Sequence, residues 1–104
     1  MTNIIILCNT NSLTNAEKIA EVLIESKLTP TVNILPPIKS IYRWREKTVK
    51  TSEYTIIIKT KKHLYNKIKE KIEKLHPYEL PEIISVNIEQ ASQEYISWIQ
   101  QNTI

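Results

Sequence analysis

His76-Pro77-Tyr78-Glu79-Leu80-Pro81-Glu82 sets an imidazole, a phenol and two carboxylates in a segment that cannot continue a helix. Proline fixes φ, lacks an N–H donor and pushes the preceding residue toward extended geometry. His76 and Leu80 are therefore both excluded from α conformation. The run Ile83-Ile84-Ser85-Val86-Asn87-Ile88 begins directly afterwards. The segment reads as a stiff helix-to-strand corner with polar side chains projecting from it. Residue types alone leave open whether the corner is also a site.

Upstream of the corner, Leu64, Ile68, Ile72 and Leu75 form one apolar stripe, predicting a helix over 61–75. Lys67, Lys69, Glu70, Lys71, Glu73 and Lys74 fill its remaining faces. Before it, Glu53 to Lys59 reads as a strand, returning from the extended segment Ile38 to Trp44 around a turn at Arg45-Glu46-Lys47. Thr31 to Leu35 is also extended. Pro36-Pro37 between these two segments predicts a bulge or an edge position, because consecutive prolines cannot serve a central ladder.

Nearer the N-terminus, Ile4-Ile5-Ile6-Leu7-Cys8 reads as a buried strand. Thr14-Asn15-Ala16-Glu17 has the spacing of a capping box, which predicts a helix over 15–27, ending before Pro30. A last helix over 92–101 carries Tyr95, Trp98 and Ile99. The order β-α-β-β-α-β plus a terminal helix predicts an α+β, ferredoxin-like sandwich, its antiparallel sheet covered by two helices on one face. The expected organisation is a single domain spanning residues 1–104.

That order raises a packing problem. Ile4 to Leu7 and Ile56 to Ile58 are apolar at successive positions, so apolar groups point to both sheet faces. Two helices cover one face, and the terminal helix is too short to cover the other. A second copy of the chain is expected there, giving a symmetric oligomer.

Composition narrows the functional classes. The chain has 104 residues, a net charge of +3, 41% hydrophobic and 24% charged residues, and no glycine or phenylalanine. Without glycine, neither Rossmann nor Walker phosphate loops can form, because both need a backbone approach that a Cβ blocks. An RNA-recognition sheet is disfavoured too, since its Gly- and Phe-containing signature is missing and the basic helix is interleaved with glutamates. No nucleophile–base pair has a spacing that forces contact, so no catalytic activity is expected. The one cysteine, Cys8, cannot form an intramolecular disulfide. With no visible leader or membrane-spanning run, this predicts a cytoplasmic location and no membrane partner.

Taken together, Ser40-Ile41-Tyr42-Arg43-Trp44 leading through Glu46-Lys47 into Ile57-Ile58-Lys59-Thr60, the corner at 76–84, and Tyr95-Ile96-Ser97-Trp98 resemble the CutA family of divalent-cation tolerance proteins. The resemblance covers nearly the whole chain. It implies a homotrimer of ferredoxin-like subunits and a cytoplasmic, non-enzymatic role in tolerance of copper and other divalent cations. It places His76, Glu79 and Glu82 as candidate metal donors, with Cu(II) or another divalent cation as the ion. Tyr42, Trp44, Lys59 and Tyr78 fall on positions lining a cleft between subunits. The chain departs from the family pattern where Pro30-Thr31 replaces Ala-Cys, Arg43 replaces an aromatic, and Glu46 replaces a hairpin-tip glycine. Loss of that cysteine removes a soft ligand, and Glu46 requires a tip without glycine.

Alternatives stand beside the metal reading. The corner could be purely structural, its phenol packed and its carboxylates paired with basic side chains. A trimeric scaffold or regulator could instead bind a small metabolite or anion at subunit clefts, with Lys59 and His76 as contacts. Thirteen helical residues separate His63 from His76 by about 20 Å, so the two histidines cannot share one ion within a chain. Cys8 is expected to behave as a small core hydrophobe.

Overall fold

The computed structural model describes residues 2–104. Five strands and three α-helices run in the order β1 (Asn3–Thr10), α1 (Leu13–Glu25), β2 (Thr31–Ile34), β3 (Ile38–Trp44), β4 (Lys47–Lys61), α2 (Tyr65–Leu75), β5 (Ile83–Asn87) and α3 (Gln93–Gln101). A short 3-10 turn, Lys62–Leu64, leads into α2. The sheet order is β2-β4-β1-β5 with antiparallel neighbours throughout, the arrangement expected of a ferredoxin-like βαββαβ fold.

Alternation along β1 and β4 builds the core. Ile4, Ile6 and Cys8 meet Ile56, Ile58, Ile19, Leu23, Ile68 and Ile72 in one buried cluster. Each apolar side chain of this size removed from water contributes about 1.5–3 kcal/mol before the opposing conformational entropy. The alternate residues point the other way. The register sets Ile84, Leu7 and Ile57 in one row across the outer face, with Val86 and Ile5 beside them. Ile84 and Val86 are about half exposed, at 49% and 50%.

The double proline creates the bulge its residues predict. Ile34 pairs with Ile56 and Ile38 with Glu53, so three residues, 35–37, oppose two. Both β2 and β3 lie along β4, which makes them one interrupted edge strand. The hairpin beyond closes tightly, because Trp44 pairs with Lys47 across only Arg45 and Glu46. Both tip residues have positive φ, 49° and 66°, as a two-residue turn matched to strand twist requires.

Several boundaries differ from their sequence expectations. Helix α2 starts at Tyr65 and not at 61, since Lys61 ends β4 and a 3-10 turn intervenes. Strand β1 runs on to Thr10, and α1 ends at Glu25. The N-cap of α1 is Ser12, whose hydroxyl accepts from the Asn15 amide, and the helix starts two residues before Asn15. Thr14 lies inside the first turn. Asn15 is thereby freed for another role: its side chain accepts from Thr10 Oγ1 at 2.7 Å and donates to the Leu75 carbonyl at 2.9 Å. Through Asn15, these two bonds tie the exit of α2 to the exit of β1. Strand β4 begins six residues before Glu53, because the polar arm 47–52 is held by pairing with β3 instead of by a buried face.

Candidate functional site

The corner starts where α2 stops. His76 is the C-cap residue, extended at φ −81° and ψ 137°, as the following proline demands. Its amide still donates to the Ile72 carbonyl at 2.8 Å. The imidazole is buried and spans two backbone groups. Nδ1 accepts from the Tyr78 amide at 3.1 Å, which leaves Nε2 to carry the proton and donate to the Asn9 carbonyl at 2.6 Å. Both ring nitrogens are thus committed, so in this geometry His76 has no lone pair to offer an ion.

Tyr78 packs edge-on against that ring, with centroids 4.8 Å apart. Its hydroxyl donates to Glu53 Oε2 at 2.6 Å. Partial burial, followed by the neighbouring Glu53 carboxylate, holds the Tyr78 phenol well above its ordinary range. Glu53 comes from β4 and is only 4% exposed. A chain of contacts therefore runs from β1 through His76 and Tyr78 to β4, and it fixes the corner against the base of the hairpin.

The corner and hairpin enclose a cleft of about 610 Å³. Tyr42 and Trp44 line the hairpin side, Tyr78, Glu79 and Glu82 the corner side, with Glu53 and Asn9 between them. Five of the candidate positions thus meet in one place: Tyr42, Trp44, Tyr78, Glu79 and Glu82. His76 stands next to it through Tyr78. Lys59 does not join them; it shares a sheet row with Ile5 and Thr31, and its Nζ donates to Asn33 Oδ1 at 3.0 Å. At the rim, Arg45 Nη2 contacts Glu79 at 3.0 Å and its guanidinium lies 5.5 Å from the Trp44 ring centre.

Among the described residues, no three His, Cys, Asp or Glu side chains converge as a preformed metal site needs. The thiol of Cys8 is free and buried in the core. Burial first, then the charges of Glu82 and Glu53, push its pKa up to about 12. A neutral thiol in that environment is a poor ligand and nucleophile. The described residues of one chain therefore do not form a closed copper or zinc centre.

Glu53, Asn9 and Arg45 are site residues that the sequence did not single out. Glu53 and Asn9 reach the cleft through the pairing of β1, β3 and β4, over separations no local pattern carries. Arg45 reaches Glu79 because the two-residue tip turns it back toward the corner.

No helix among the described residues is long and apolar enough to cross a membrane. Residues 4–102 match the family model described as CutA1 divalent ion tolerance protein. The divalent-cation tolerance protein CutA of Thermus thermophilus is 41% identical over 88 residues, covering 85% of each chain. Its counterpart in Archaeoglobus fulgidus is 36% identical over 90 residues, covering 86% of this chain and 87% of the other. The match to mouse Protein CutA, at 38% identity, spans only 50% of that longer protein. The solved structure of the Thermus thermophilus divalent cation tolerance protein superposes with a TM-score of 0.95 at 37% identity, over 98% of this chain and 99% of that one. CutA1 from Oryza sativa superposes at 0.96 with 29% identity, over 100% and 95%. With the family model, the sequence relatives and the superposition in agreement from the first strand to the last helix, the chain belongs to the CutA1 divalent ion tolerance family.

Proposed function

We propose that the chain acts as a cytoplasmic, non-enzymatic homotrimer in divalent-cation tolerance, binding Cu(II) or another divalent cation weakly at the cleft. The observation that carries this reading is the cleft's charge. Glu53, Glu79 and Glu82 line it in a chain whose net charge is +3. Carboxylate oxygens attract divalent ions, and an open site with few fixed donors gives modest affinity and little selectivity. Glu79 and Glu82 are the donors in this reading. His76 adds a nitrogen only if its Nδ1 releases the Tyr78 amide.

Assembly supports it from a second side. The outer-face row of Ile84, Leu7 and Ile57, with Val86 and Ile5, is the kind of apolar surface that a neighbouring copy covers. A trimer also brings side chains of a second subunit toward the first, which could complete a donor set that one chain lacks.

Native mass spectrometry and calorimetric titration with Cu(II) and Zn(II) test the two parts. A trimer that binds either ion, and loses most of that binding in Glu79→Gln/Glu82→Gln, is expected. A stable monomer sinks the assembly, and unchanged binding in the double variant removes the carboxylates from the site.

A further inference from the structure

The cleft holds more chemistry than a metal ion needs. Three aromatic rings, Tyr42, Trp44 and Tyr78, share its lining with Glu53, Glu79 and Glu82. Arg43 is the single cationic side chain on the lining, so the lining carries a net charge of −2 (three glutamates against one arginine). Asn9 contributes an Oδ1 that is buried with no hydrogen-bond partner. The lining therefore pairs a net negative charge with aromatic π-faces. A volume of about 610 Å³ is also far larger than a bare ion requires and falls within the range of small-molecule pockets.

Arg45 shows which group such a lining attracts. Its guanidinium lies 5.5 Å from the Trp44 ring centre while Nη2 contacts Glu79 at 3.0 Å. A delocalised cation is thus held between an aromatic ring and a carboxylate at the mouth of the cleft, the pairing expected from the negative face of an indole. Deeper in, Glu53 is 4% exposed and takes its hydrogen bond from Tyr78 on Oε2, which leaves Oε1 able to accept from a ligand.

We propose that the cleft between the β3–β4 hairpin and the proline corner binds a small organic cation, an ammonium or guanidinium attached to a flat apolar body. The cationic head is directed to Glu53 and the body lies among Trp44, Tyr42 and Tyr78. Arg45 competes with such a ligand for Trp44 and Glu79. This site overlaps the cleft of the metal reading but does not depend on it, because the head uses Glu53 whereas the metal uses Glu79 and Glu82. It also differs from an anion site at Lys59 and His76, since Lys59 lies outside the cleft and the His76 nitrogens are occupied.

The test is calorimetric titration of the intact chain with benzylamine, with benzoate as the probe of matched shape and opposite charge. Benzylamine is expected to bind at least about ten-fold more tightly than benzoate, the discrimination that a buried carboxylate beside aromatic rings supports. Glu53→Gln should lose about ten-fold in benzylamine affinity while keeping its heat with Zn(II). Arg45→Asn, a residue that tolerates the left-handed turn, should bind benzylamine several-fold more tightly because the competitor is gone. Since Arg45 is exposed, that variant remains informative even where Glu53→Gln fails to fold. Equal affinity for benzoate, or no gain in Arg45→Asn, overturns the proposal. No heat with Zn(II) or Cu(II) from the unmodified chain, with its benzylamine binding intact, overturns the metal reading alone.

Discussion

Tyr78 donates its hydroxyl to Glu53 across 2.6 Å, and this bond joins a loop after α2 to the middle of a strand 25 residues earlier. A carboxylate that is 4% exposed needs such a donor to remain in place. Tyr78→Phe leaves it without one. We predict a loss of about 1–3 kcal/mol in stability, measured by denaturant unfolding at constant protein concentration.

The same bond predicts an alkaline limit. The folded state holds the Tyr78 phenol above its ordinary value of 10.0, so the unfolded chain releases this proton first as pH rises. The contribution is complete below about 10 and fades as pH climbs toward the folded value. Cys8, raised to about 12 from 9.0, acts in the same direction from about 9 upward. Thermal melts at increasing alkaline pH should show stability falling, and Tyr78→Phe should show a shallower fall.

Occupation of both His76 nitrogens predicts one neutral tautomer. Nitrogen-detected NMR should find the proton on Nε2, with Nδ1 as acceptor. A population protonated on Nδ1 instead would contradict the bond from the Tyr78 amide.

The position of the α1 cap can be read out by a pair of substitutions. Ser12→Ala removes the acceptor for the Asn15 amide and should cost about 1 kcal/mol. Thr14→Ala, inside the first turn, should change stability by less than about 0.5 kcal/mol. The opposite ranking would restore the cap to Thr14.

At the hairpin tip, Glu46 holds φ at 66° without glycine's freedom. Glu46→Gly should therefore raise stability by up to about 1 kcal/mol in chemical unfolding, because relief of the left-handed cost exceeds the extra entropy of the unfolded glycine. A destabilised variant would mean that Glu46 makes contacts worth more than that relief.

Those cases show how far the chain could be read unaided. Strand β3 was legible at both ends, because prolines and a charged turn bound it. The corner was legible for the same reason, since proline acts on its own neighbours. The start of β4 was not, because residues 47–52 carry no apolar alternation and are held only by β3. The α1 cap was misplaced because Thr14-Asn15-Ala16-Glu17 offers a complete local pattern, while Ser12 prevails with a single hydroxyl bond. Of the cleft, the corner and hairpin residues were recognisable by motif, but Glu53 and Asn9 needed the register. Lys59 shared the motif yet faces the outer sheet row, two positions along from Ile57.

The length of β4 has a kinetic consequence. Its outer half pairs with β3 across a two-residue turn, whereas its inner half pairs with β1, where Asn3 meets Lys61. The first closure costs little chain entropy and the second a great deal. We predict that the arm zips early and serves as the template on which β1 later registers. Substitutions in Ile41 or Val49 should then slow refolding, while those in Ile6 should mainly hasten unfolding, a split that stopped-flow measurements would resolve.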